Sequence, residues 1–105
     1  MNTTISISKE AYVGLRPIHV TLERLAKAVY VEPRPEMASH YNGIFLNGRF
    51  LLPHTPKLRY NVAISPGIFD AIRLQALNAG YIHGGRGNVS AYLEAIGLNL
   101  YEVYP

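Results

Sequence analysis

Residues 57–66, Lys-Leu-Arg-Tyr-Asn-Val-Ala-Ile-Ser-Pro, narrow what this chain can fold into more than any other stretch. Leu58, Tyr60, Val62 and Ile64 fall on one side of an alternation and Lys57, Arg59, Asn61 and Ala63 on the other, the period of a half-buried β-strand. Ser65 and Pro66 stop it, the serine as a helix N-cap and the proline as the first helical residue. A helical pattern then runs over 66–78 with Ile68, Phe69, Ile72 and Ala76 on its apolar face, and Gly80 ends it. After the turn Gly84-Gly85-Arg86-Gly87 a second helical pattern runs from about Val89 to Glu102, with Val89, Leu93, Ile96 and Leu100 as its stripe. Gly97 weakens that helix by about 1 kcal/mol relative to alanine, and is either tolerated or there to let another backbone come close. A strand followed by two helices contains no second strand. Its backbone donors and acceptors need a partner, and a second copy of the chain is the simplest source.

At 105 residues the chain is one domain, or one small domain with an extension. Nearly half the residues are hydrophobic, enough to fold around a modest core that dimerisation would help to stabilise. No apolar run approaches the ~20 residues that span a bilayer. Met1-Asn2-Thr3-Thr4 lacks the basic and apolar regions of a secretory signal, and there is no cysteine for a disulfide or thiolate metal site. These features fit a cytoplasmic protein. His19, His40, His54 and His83 stand apart, and no serine or carboxylate constellation has catalytic spacing, so neither a metal, a cofactor nor an enzyme is expected. The eight tyrosines suit either an interface or the finish of a small core. Between Arg49 and Ser90 the charges are Arg49, Lys57, Arg59, Arg73 and Arg86 against Asp70 alone. A basic window around the strand and the inter-helix turn favours a phosphate-facing surface over an ordinary solvated one.

Strand, cap, helix, glycine turn and helix in this order resemble the ribbon-helix-helix DNA-binding family, which includes Arc- and MetJ-type repressors. The resemblance covers about residues 57–104. It implies an α+β fold in which two strands pair across a dimer axis, giving an intertwined homodimer whose antiparallel ribbon enters the major groove. It also implies that Arg59, Asn61 and Ala63 read base edges. An arginine can bond guanine O6 and N7 together, an asparagine adenine N6 and N7, and an alanine can touch a thymine methyl. The N-terminus of the second helix, at Asn88, Val89 and Ser90, would hold a phosphate with help from Arg86 and Lys57. Capping alone also accounts for Asn88 and Ser90. The glycine-rich turn could form a mobile loop over the DNA backbone.

Residues 1–56 are read as an N-terminal extension and 57–105 as the DNA-binding domain, divided at Pro53-His54-Thr55-Pro56. The extension should hold a short strand at 3–8, a helical turn at 9–15, a helix at 21–31 capped by Thr21, and a hairpin at 44–52 turning on Asn47-Gly48. The halves echo each other. Ile5-Ser6-Ile7-Ser8-Lys9-Glu10 reads as a strand running into a helix cap, and His19-Val20-Thr21-Leu22-Glu23 could open a second helix. The space between is short for a full first helix, so this half is taken as an added module that packs on the dimer, joins dimers or binds a regulatory partner. The function expected is a sequence-specific, homodimeric repressor of transcription acting on double-stranded DNA. The rival is a protein-interaction module whose 57–64 strand adds to a partner's sheet edge without binding DNA.

Overall fold

Serine stands at the end of two strands in this chain, and at each it starts a helix. The computed structural model describes all 105 residues. In it β1 (Asn2–Ile7) leads into α1 (Lys9–Leu15) and α2 (Ile18–Ala26), followed by β2 (Tyr30–Pro33), a 3₁₀ helix (Pro35–Tyr41) and the hairpin β3 (Ile44–Leu46) and β4 (Arg49–Leu51). The second half runs β5 (Leu58–Ala63), α3 (Pro66–Asn78), the small hairpin β6 (Ile82–His83) and β7 (Arg86–Gly87), α4 (Val89–Gly97) and β8 (Tyr101–Tyr104). Ser8 Oγ accepts from the Ala11 N–H at 3.1 Å, and Ser65 Oγ from the Ile68 N–H at 3.3 Å, each satisfying a donor that the helix itself leaves free. The result is a compact α+β domain of five helices and four two-stranded antiparallel sheets. No helix is long and apolar enough to cross a membrane.

The two strand–helix–helix units interlock. β1 pairs antiparallel with β5, with Asn2 opposite Ala63, Thr4 opposite Asn61 and Ser6 opposite Arg59. α1 packs chiefly on α4 and α2 on α3, so the helices of one unit lie against those of the other. The expectation that a second copy supplies the partner strand is therefore corrected: residues 2–7 of the same chain fill that place. The echo between the halves is a second unit after all. It fits because α1 needs only seven residues and Arg16 and Pro17 alone join it to α2. The core draws on both sides of the expected boundary at Pro56, with Ile5, Ile7, Leu15, Leu22 and Leu25 meeting Val62, Ile72, Leu93, Ile96 and Leu100.

Two helices are shorter than their sequence patterns. α2 starts at Ile18 rather than Thr21 and ends at Ala26, because Tyr30–Pro33 leaves it to pair with Tyr101–Tyr104. α4 ends at Gly97, where Asn99 takes a left-handed φ of 64° and the Leu100 N–H turns back to the Ala95 carbonyl. Leu100 stays in the core although it has left the helix. The Asn47-Gly48 turn is formed, both residues at positive φ, and it delivers Phe50 to the core against Tyr101. Tyr81 and Tyr101 share a hydroxyl contact of 3.0 Å, Tyr81 also accepts the Phe50 N–H, and the Tyr92 hydroxyl donates to Gln75. Burial pushes all three phenols above their usual pKa, so these tyrosines finish the core rather than face a partner.

A buried carboxylate is among the polar ties that join the halves. Glu94 of α4, 4% exposed, accepts from the Ser8 N–H at 2.7 Å and the Ser8 hydroxyl at 2.6 Å, and Lys57 stands 3.4 Å away. Glu94→Ala strands the Ser8 donors in a half-buried site and should cost about 2–3 kcal/mol. Thermal melting checks this, and an unchanged midpoint would mean that water satisfies Ser8 without the carboxylate.

Candidate nucleic-acid interface

The outer face of the β1–β5 ribbon carries six exposed side chains, Asn2, Thr4 and Ser6 from one strand and Arg59, Asn61 and Ala63 from the other. The period of two puts them together: on the opposite face Ile5, Ile7 and Val62 are buried, and half-buried Tyr60 stacks flat on Tyr12 with centroids 3.8 Å apart. Antiparallel register sets the six in three facing pairs, and across the middle pair the Thr4 hydroxyl donates to Asn61 Oδ1 at 2.9 Å. Arg59 makes no ion pair, so its guanidinium is free to meet a ligand.

A helix begins beside each strand. At α4, Asn88 Oδ1 accepts the Ala91 N–H and the Asn88 carbonyl accepts that of Tyr92, while the N–H groups of Val89 and Ser90 have no acceptor in the chain. This end abuts β1, where Ser90 Oγ accepts the Ser6 N–H at 3.0 Å. At α2 the cap is Pro17, which supplies no side-chain acceptor, and His19 and Glu23 of that helix line one small pocket with Ala63 of β5. Two sets of free N–H groups thus flank the ribbon, one on each side, each a focus of partial positive charge.

The cations are arranged around the α4 end. Arg86 arrives on the β6–β7 hairpin, whose two-residue turn has Gly84 and Gly85 at φ 60° and 78°. Gly87 is pressed against α3 so closely that a Cβ would overlap the Arg73 carbonyl, which seats the second strand of the hairpin on that helix, while Gly84 and Gly85 at its tip have open space around them. Arg86, Arg73 and His83 line a cleft of about 250 Å³ together with Thr4, Val89 and Ser90. Arg86 forms no ion pair, whereas Arg73 is held 3.0 Å from Asp70. Lys57 sits on the other side of the same helix end, in a cleft shared with Ser6, Asn88 and Ser90. There it donates to Thr55 and lies near Glu94, so part of its charge is already answered within the protein.

All eight residues singled out in the sequence are thus brought to one side of the molecule, Arg59, Asn61 and Ala63 on the ribbon face, and Lys57, Arg86, Asn88, Val89 and Ser90 around α4. Sequence reasoning missed Asn2, Thr4 and Ser6, although the Thr-Thr-Ile-Ser-Ile-Ser alternation was visible, and it missed Arg73, His83 and the α2 end. No group of three or more metal-ligating side chains comes together. No family model, curated protein or solved structure matches the chain.

Proposed function

We propose that this chain is a double-stranded DNA-binding protein of ribbon-helix-helix type in which one chain supplies both strands, and that it acts as a transcriptional repressor. The observation that carries this reading is the ribbon face itself: six outward side chains in three facing pairs, with a free helix N-terminus beside each strand. A two-stranded ribbon fits the major groove, which is about 12 Å wide. Side chains from its outer face then meet base edges, while N–H groups at the helix ends meet phosphates of the flanking backbone. Arg59 reads guanine, and Arg86 with the Val89 and Ser90 amides grips a phosphate. The rival reading of strand addition rests on the 57–64 strand and on the apolar hairpin at 44–52; β1 occupies one edge of that strand, while Ile44 and Leu46 of the hairpin stay exposed.

Selection of bound duplexes from a random library, with the full-length protein at moderate salt, tests the proposal. Enrichment of a short recurring motif is the expected result, and recovery of no DNA overturns it. Arg86→Ala should weaken binding to every sequence alike and lower the slope of log K against log salt by about 0.9, one phosphate's share. Titration at several salt concentrations measures it, and an unchanged slope removes Arg86 from the phosphate surface.

A further inference from the structure

The pairing of β1 with β5 has a local two-fold symmetry that the side chains do not obey. Counting back from the capping serines, Ser6 of β1 corresponds to Ala63 of β5, Thr4 to Asn61 and Asn2 to Arg59. The register places Thr4 opposite Asn61, with Ser6 opposite Arg59 on one side and Asn2 opposite Ala63 on the other. Exchanging the strands maps this set of pairs onto itself, so a pseudo-two-fold axis runs through the Thr4–Asn61 pair. A dimer of identical strands would show the same chemistry at both ends of the ribbon. Here one end shows a guanidinium and a hydroxyl, the other a carboxamide and a methyl.

We infer that one molecule of this chain reads a non-palindromic duplex in a fixed orientation, with its Arg59–Ser6 end on guanine and its Asn2–Ala63 end on an adenine–thymine step. The inference rests on the DNA-binding reading above and adds to it the symmetry, polarity and stoichiometry of the site. The end assignments follow from donor geometry. Five guanidinium N–H groups suit the two acceptors of guanine, a carboxamide suits the donor and acceptor of adenine, and an alanine methyl packs on that of thymine. Four residues of strand separate the two ends, about 13 Å, or roughly four base-pair steps. The flanks differ in the same sense. Beside β1 the helix end is Asn-capped and faces Arg73, His83 and Arg86, whereas beside β5 it is Pro17-capped with His19 and Glu23 beside the strand.

The test uses three full-length proteins, the parent and two in which one strand is given the other's outward residues: Asn2→Arg/Thr4→Asn/Ser6→Ala, and Arg59→Asn/Asn61→Thr/Ala63→Ser. All six positions are exposed, and circular dichroism confirms that each protein folds. Each is taken through duplex selection, and the mass of the parent complex is measured on its selected site. The parent should enrich a motif that differs from its own reverse complement and bind it as one chain per site. The first variant carries an arginine and an alanine at each end of the ribbon and should enrich an inverted repeat with guanine in both halves; the second carries an asparagine and a serine at each end and should enrich an inverted repeat with adenine in both halves. A palindrome occupied by two parent chains leaves DNA binding standing and overturns the inference, and so does retention of the parental motif by both variants. If no protein enriches any motif, the DNA-binding reading itself falls and takes the inference with it.

Discussion

Gly97→Val should abolish stable folding at physiological temperature, and Gly97→Ala should lower the melting temperature by 10 °C or more, a value set by about 2–3 kcal/mol of overpacking. Two effects oppose each other at this site. Alanine improves helix propensity by about 1 kcal/mol over glycine. Against that, a Cβ at Gly97 would overlap the carbonyl oxygen of Ala11, with the carbonyl carbon and Cα of Ala11 also within 2.9 Å, and one at Gly14 would overlap the carbonyl of Gly97. These neighbours are backbone atoms of a facing helix, which cannot rotate away as a side chain can. Relief requires α1 and α4 to separate, and their crossing is the largest helix contact between the two strand–helix–helix units. A domain of this size is stable by only about 5–15 kcal/mol, so the loss is a large share of the total. Gly67→Ala is the control: nothing lies within 4 Å of its Cβ position in α3, and its melting should match or exceed the parent's. A Gly97→Ala protein that melts at or above the parent would mean that the helices do not cross as closely as described.

The same crossing shows why part of the fold was legible in the sequence and part was not. Local patterns were readable wherever a single stretch carries its own signal. The alternation of 57–64 marks β5, Ser65-Pro66 and Gly80 bound α3, and Asn47-Gly48 turns its hairpin. Long-range choices left no such mark. Thr3–Ser8 alternates as plainly as β5 does, yet nothing in one sequence says which strand pairs with which. Gly97 hinted at a close backbone without naming Gly14 as its counterpart. The first unit was hidden by its economy, since a seven-residue α1 followed at once by Arg16-Pro17 is too short for a clear helical stripe. Conversely, the apolar stripe of α4 continued to Leu100 past the real end of the helix, because the core needs that leucine whether it is helical or not. The candidate site divides in the same way. Period put Arg59, Asn61 and Ala63 on one face and the family resemblance made them candidate base readers, while their three facing residues required knowledge of the register.

Arg59→Ala should lose about 1–3 kcal/mol of discrimination against the wrong base, roughly 5- to 150-fold, at one position of the bound motif and leave the remaining positions unchanged. The side chain is exposed and unpaired, so the melting temperature should stay within about 2–4 °C of the parent and the effect belongs to recognition rather than folding. Its salt dependence separates it from Arg86. A base contact releases little of the counterion atmosphere, so the salt slope should hardly move, whereas removal of a phosphate contact lowers it. Arg59→Lys then distinguishes charge from geometry. Lysine keeps the positive charge but lacks the planar fork that bonds O6 and N7 together. Affinity for unselected DNA should therefore survive in the lysine variant while preference for guanine falls nearly as far as in the alanine variant. Binding measured against duplexes carrying each of the four base pairs at the affected position gives the answer. Equal preference in parent, lysine and alanine proteins would remove Arg59 from base reading and leave the ribbon face as a sequence-blind surface.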